Sequence, residues 1–204
     1  MIAVITSCSY FREGFQELTR QLLTECKSFS RVTYTDNINT FTKKILSQTK
    51  AIVVDYGQSD IQQLINLLIV KNKYPESYFI LITRESCFEN TIENILINTV
   101  SDYSIDCVSV MRKLKSCLKD FASGNQHIVV TKNKRLYHIE KEKNLTKRES
   151  DLLPYIISGR NNKEISRYLD VSGKTVSHHR RNIYHKFEVN NLTGLYNVFG
   201  RYAG

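Results

Sequence analysis

Lys174, Ser177, His178, Arg181, Tyr184 and His185 fall on one side of a helical pattern, and Val176, Ile183 and Phe187, seven and four residues apart, fall on the other. The apolar stripe is expected to be core. The polar side offers hydrogen-bond donors and positive charge with no carboxylate among them, which is the chemistry of a face that meets a polyanion. An arginine there can donate two bonds to a guanine edge, whereas a short hydroxyl or a lysine near a helix N-terminus suits phosphate. Three histidines share the segment, but no cysteine or nearby carboxylate completes a zinc site with them, so neither metal nor cofactor is expected. No nucleophile–base pair and no phosphate-cradling loop stands out anywhere, so the chain is not expected to be an enzyme.

The charge is divided in the same sense. Of the net +9, residues 1–120 carry +1 (14 Lys and Arg against 13 Asp and Glu), residues 121–144 carry +3 and residues 145–204 carry +5. Such an asymmetry suits a polyanion partner, because phosphates neutralised by basic side chains release condensed counterions; the alternative is a solvated basic face. The 204 residues allow two modest domains. No apolar run is long enough to span a bilayer and Met1–Ile5 lacks the basic region of a secretion signal, so no membrane association and a cytoplasmic location are expected. Cys8, Cys26, Cys87, Cys107 and Cys117 form no C-x-x-C pair and read as reduced, mostly buried thiols.

The elements that hold the basic face can be read from its flanks. Thr146-Lys147-Arg148-Glu149 is a capping box that opens a helix through Leu152, Leu153, Ile156 and Ile157, ending at Ser158-Gly159. Pro154 within it is expected to bend or weaken it. Asn161 caps a second, short helix carrying Ile165 and Leu169; after the turn Asp170-Val171-Ser172-Gly173, Ser172 caps a third helix reaching about Phe187. Leu195 and Val198 or Phe199 are apolar in the segment Leu192 to Phe199 that follows. Three helices with a basic outer face on the third make a unit that can enter a major groove.

The string Leu145-Thr146-Lys147-Arg148-Glu149, Gly159, Asn162-Lys163-Glu164-Ile165, Leu169, Ser172, Lys174-Thr175-Val176, His179, Ile183, Lys186 and Phe187 resembles the LuxR-type helix-turn-helix family over about 50 residues. The resemblance implies that the helix from Gly173 is the recognition helix. It implies base contacts from Ser177, His178 and Arg181, and phosphate contacts from Asn162, Lys163, Lys174, Thr175, His179 and Lys186. It also implies dimerisation through a last helix at Leu192 to Phe199, which can equally serve to close the core.

Upstream, short apolar strands alternate with helices: strands at Ile2–Thr6, Ala51–Asp55 and Tyr78–Thr83, helices at Phe11–Cys26, Ile61–Lys73 and Val108–Phe121. This rhythm predicts an α/β domain, a parallel sheet flanked by helices, over residues 1–121. Residues 122–144, where His127–Val130 could add a short strand, read as a linker, and residues 145–204 as the all-α helix-turn-helix domain. The first domain resembles a response-regulator receiver: Asp55 ends a strand where the phosphoacceptor belongs and Thr83 ends the next where a phosphate-sensing hydroxyl belongs. Thr6-Ser7 replaces the acidic pair after the first strand, and no lysine lies in Ile95–Ser101, where the phosphate-binding lysine is sought. A divalent cation needs several carboxylates, so magnesium is expected to be held poorly. The expected function is therefore a sequence-specific DNA-binding transcription regulator that works independently of phosphorylation, as a homodimer or as a heterodimer with another receiver-type regulator. The alternative is a response regulator switched by phosphorylation of Asp55.

Overall fold

The computed structural model describes residues 1–25, 31–57, 60–83, 92–122 and 140–201. The chain divides into two compact units, one of residues 1–87 with 100–131, the other of residues 88–99 with 132–204. Most of the expected linker, including His127–Val130, lies outside the described residues.

The first unit is built on five parallel strands: β1 (Ile2–Ile5), β2 (Val32–Thr35), β3 (Ala51–Tyr56), β4 (Tyr78–Thr83) and β5 (Tyr103–Asp106), in the spatial order β2-β1-β3-β4-β5. Its helices are α1 (Ser9–Glu25), α2 (Lys43–Gln48), α3 (Ile61–Lys73) and α5 (Val110–Ala122); α4 (Ile92–Val100) falls largely in the residues grouped with the second unit. β1 is buried throughout and β3 and β4 nearly so, the mark of strands covered on both faces. Along each strand the side chains alternate. Val4, Val53, Ile80, Ile82 and Ile105 join Phe15, Leu18 and Leu22 of α1 and Leu114 and Leu118 of α5 in one core. Ile52, Val54, Tyr56, Phe79 and Leu81 point to the other face and are as deeply buried.

The expected strands and helices are present with ends shifted by one or two residues. β2, α2, α4 and β5, short elements without a long period, were not specified by the sequence pattern. The stretch searched for a lysine, Ile95–Ser101, belongs mostly to α4; the fifth strand ends instead at Asp106, where an aspartate caps the next turn by accepting from the Val108 amide. Among the thiols described, Cys117 is buried, Cys8 partly so, and Cys107 is exposed, against the expectation of mostly buried cysteines; Cys26 and Cys87 lie outside the described residues or in a stretch whose side chains are undescribed.

The second unit carries α6 (Lys147–Ile157), α7 (Asn162–Leu169), α8 (Gly173–Lys186) and α9 (Leu192–Arg201). Leu152, Leu153, Ile156, Ile157, Ile165, Val176, Ile183, Phe187, Leu195 and Phe199 are buried, as the helical spacing predicts. α9 closes this core: the Phe199 ring packs against Phe187 at 5.5 Å between ring centres, tilted by 42°, and the Tyr196 hydroxyl donates to the Ile157 carbonyl at 2.8 Å. α6 is continuous through Pro154, which is buried rather than facing solvent. The proline stands close to the helix end, and its own carbonyl accepts from the Ser158 amide.

Candidate nucleic-acid interface

The start of each helix around the basic face is locked by a local cap. At α6 the Thr146 hydroxyl accepts from the Glu149 amide while the Glu149 carboxylate accepts from the Thr146 amide. A second capping box, missed in the sequence although the Asn161…Glu164 spacing signals it, opens α7. Ser172 accepts from the Thr175 amide at α8, and its hydroxyl lies 2.8 Å from that of Thr175. The bend from α7 to α8 is made by Asp170 in the left-handed conformation, φ 51°.

α8 presents Lys174, Thr175, His178, Arg181 and His185 to solvent, with Ser177, His179 and Tyr184 half-buried at its flanks. Lys163 is exposed and Asn162 half-buried at the start of α7. The nine expected DNA-contacting residues therefore sit at the beginning of α7 and along α8, but they differ in how free they are. Among the described residues, the side chains of Lys163, Lys174, Ser177 and Arg181 are engaged by no hydrogen bond or ion pair, so their donors are available to a ligand. His178 lies 3.2 Å from the Asn182 amide nitrogen, and Nδ1 of His179 is buried without a partner among the described residues.

Lys186 has a different position. Its ammonium donates to the Glu149 carboxylate at 2.7 Å and to the Asn144 carbonyl at 2.6 Å, so two of its three protons are spent inside the domain. Burial of Glu149 raises its pKa, but the bonds from Lys186 and from Thr146 outweigh that and hold it below the ordinary glutamate range. Arg180, which the sequence pattern did not single out, is likewise structural: its guanidinium donates to the Arg160 carbonyl at 2.5 Å and to the Tyr184 hydroxyl at 3.4 Å, tying α8 to the turn between α6 and α7.

The second cluster lies at the carboxyl edge of the sheet. Asp55 is next to last in β3, and its carboxylate accepts from the Thr6 hydroxyl just beyond β1 at 2.9 Å; the same hydroxyl accepts from the Cys8 amide at 3.0 Å. In the order β2-β1-β3 the chain reverses direction across the sheet between β1 and β3, the switch point at which open parallel sheets receive ligands. Thr83 ends β4, paired in register with Tyr56 and Asp106. The donors around Asp55 do not fit a magnesium ion held by several carboxylates: a hydroxyl stands where an acid would, and no group of three or more His, Cys, Asp or Glu among the described residues is placed to share an ion.

Known proteins are similar to this chain in the second domain by sequence and in both domains by fold. Residues 143–199 match the family model of bacterial regulatory proteins, luxR family. The uncharacterised response regulatory protein YgeK of Escherichia coli is 51% identical over 45 residues, 22% of this chain and 31% of that protein, so less than a third of that relative's length is matched. The transcriptional regulatory protein MctR of Rhizobium johnstonii is 24% identical over 75% of this chain and 71% of its own. The RcsB response regulator of Salmonella typhimurium has a similar fold, with a TM-score of 0.50 and 17% identity over 98% of this chain and 96% of that one. The fold likeness runs through the first domain as well as the second, with all five strands present and a carboxylate in the acceptor position. The expected phosphorylation-independent regulator is corrected on that finding: it was drawn from the missing acidic neighbours of Asp55, whereas the five-stranded receiver-like sheet is present with Asp55 near the end of β3. The chain combines a receiver-like α/β fold, a parallel sheet flanked by helices, with an all-α helix-turn-helix domain of which residues 143–199 match the luxR-family model.

Proposed function

We propose that this protein is a sequence-specific, DNA-binding transcription regulator of the response-regulator kind, switched at Asp55. The observation that carries the DNA-binding part is the contrast along α8. Arg181 and Lys174 hold unengaged donors toward solvent while the neighbouring Arg180 and Lys186 are spent on the fold. Arg181 then reads a guanine edge in the major groove with Ser177 and His178, and Lys174, Thr175, Asn162, Lys163 and His179 hold the phosphates. Lys186 adds at most its third proton.

The protein works in the cytoplasm as a dimer whose two α8 helices enter successive major grooves. The overall layout, with Cys8-Ser9-Tyr10 after the first strand and Thr175-Val176-Ser177 in the recognition helix, resembles that of the capsule-synthesis auxiliary regulator of enteric bacteria. That likeness supports a heterodimer with another receiver-type regulator as one form of the assembly.

The switch is supported by the position of Asp55 at the sheet's switch point, held by Thr6. One carboxylate oxygen attacks the phosphorus of a small phosphoryl donor, the donor's leaving group departs, and an acyl phosphate remains on Asp55. Incubation of the full chain with acetyl phosphate and magnesium should add the mass of one phosphoryl group, absent in Asp55→Asn, and should tighten binding to a DNA site selected by the protein. An unchanged mass under those conditions overturns the switched reading.

A further inference from the structure

Asn182 lies on α8 one turn beyond His178, half-buried, and its amide nitrogen is 3.2 Å from Nε2 of the exposed His178 ring. Taking Val176, Ile183 and Phe187 as the inward direction and about 100° of turn per residue, Asn182 stands about 60° from the centre of the outward face. Ser177, one of the residues assigned above to base contact, stands about 80° from it. Asn182 thus lies nearer the centre of the outward face than one of the expected readers, on the flank it shares with Thr175. The sequence pattern did not single it out.

We infer that Asn182 is a further specificity-determining residue, which reads an adenine, and that His178 is its positioning partner. The inference rests on α8 being the DNA-reading helix. A primary amide has two N–H donors and an oxygen with two lone pairs. If the nitrogen donates to His178, one N–H and the whole oxygen remain; if the amide is turned so that the oxygen accepts from a protonated Nε2, both N–H groups and one lone pair remain. Either way a donor and an acceptor stay available side by side, the pair that matches N7 and the N6 amino group of adenine in the major groove. The bond to His178 fixes the side chain before DNA arrives, which removes part of the ordering cost of binding.

The test uses the full-length protein, treated with acetyl phosphate and magnesium, and selection from a randomised duplex library. Wild type and Asn182→Ala are then titrated against the selected site with each adenine replaced in turn by 7-deazaadenine, which lacks the N7 acceptor. At one adenine, wild type should lose about 5- to 150-fold in affinity. Asn182→Ala should already be weakened by a similar factor and should lose nothing more at that adenine, while its binding to random DNA and its melting temperature stay at wild-type values. Asn182→Ala selecting the wild-type site with wild-type affinity, or suffering the same 7-deazaadenine losses as wild type, overturns the assignment. A selected site that depends on Arg181 but not on Asn182 overturns this inference alone. Selection of no site by wild type overturns it together with the DNA-reading function.

Discussion

Two adjacent arginines on one helix do opposite work. Arg180 completes the turn between α6 and α7 and Arg181 reaches solvent, a difference set by about 100° of rotation about the helix axis. The Lys186–Glu149 pair makes the same point for charge. The Glu149 side chain is 3% exposed, so removing its cation leaves a carboxylate in a poor environment, whatever Lys186 contributes to DNA. Lys186→Ala should lower stability by about 1–3 kcal/mol, read as a fall in the denaturant midpoint. The pH dependence follows from the direction of the Glu149 shift. Its pKa is lower in the folded than in the unfolded protein, so the stabilisation is fully present above the unfolded value of about 4.3 and is lost as pH falls through the depressed folded value. Urea titrations of wild type and Glu149→Gln at descending pH should converge below about pH 4. A constant gap between the two down to the lowest pH would disprove the coupling.

At the scale of elements, the helices of the second unit end by a repeated device. After α6, α7 and α8, and at Asn144 before α6, one residue takes the left-handed conformation and two amides turn back on the preceding carbonyls. At Gly159 the amides of Gly159 and Arg160 donate to Ile156 and Tyr155; at Glu188 those of Glu188 and Val189 donate to His185 and Tyr184. Only the first of these positions is a glycine, so the others carry the steric cost of a side chain at positive φ. Glu188→Gly should stabilise the protein by about 0.5–1 kcal/mol, and Gly159→Ala should destabilise it by about 1 kcal/mol. A Cβ at Gly159 would meet the Tyr196 hydroxyl at an ordinary 3.8 Å, so the loss comes from backbone strain rather than collision. Thermal melts of the two variants shifting in the same direction would refute this account.

Across the whole molecule, charge and topology divide the labour. Under the proposed function, the +5 of residues 145–204 would draw the C-terminal domain to any duplex, and the unengaged donors on α8 would decide which duplex is kept. Arg181→Ala should therefore cost about 1–3 kcal/mol on a selected site and relax its sequence, while leaving binding to random DNA nearly unchanged. Fluorescence anisotropy on both duplexes across a salt series measures this, and an equal loss on both would make Arg181 a phosphate contact instead. The receiver-like domain, near neutral at +1, adds no comparable attraction and is suited to carry the input at Asp55.

The capping box at Thr146, the apolar stripe of Val176, Ile183 and Phe187 and the long elements α3 and β4 were legible in the sequence, because each depends on residues a few positions apart in a fixed period. So was the LuxR-type domain, whose motif residues lie within one short segment. β5 was not, since an element of four residues is too short to show a period and takes its state from the strand it pairs with. The partners of Asp55, Lys186 and Arg180 lie 49, 37 and 20 residues away in the chain, distances at which spacing carries no information. The sequence by itself determined that a basic helix would face outward; the tertiary structure decided which of its cations are free, because a donor already bonded within the fold cannot also be fully offered to DNA.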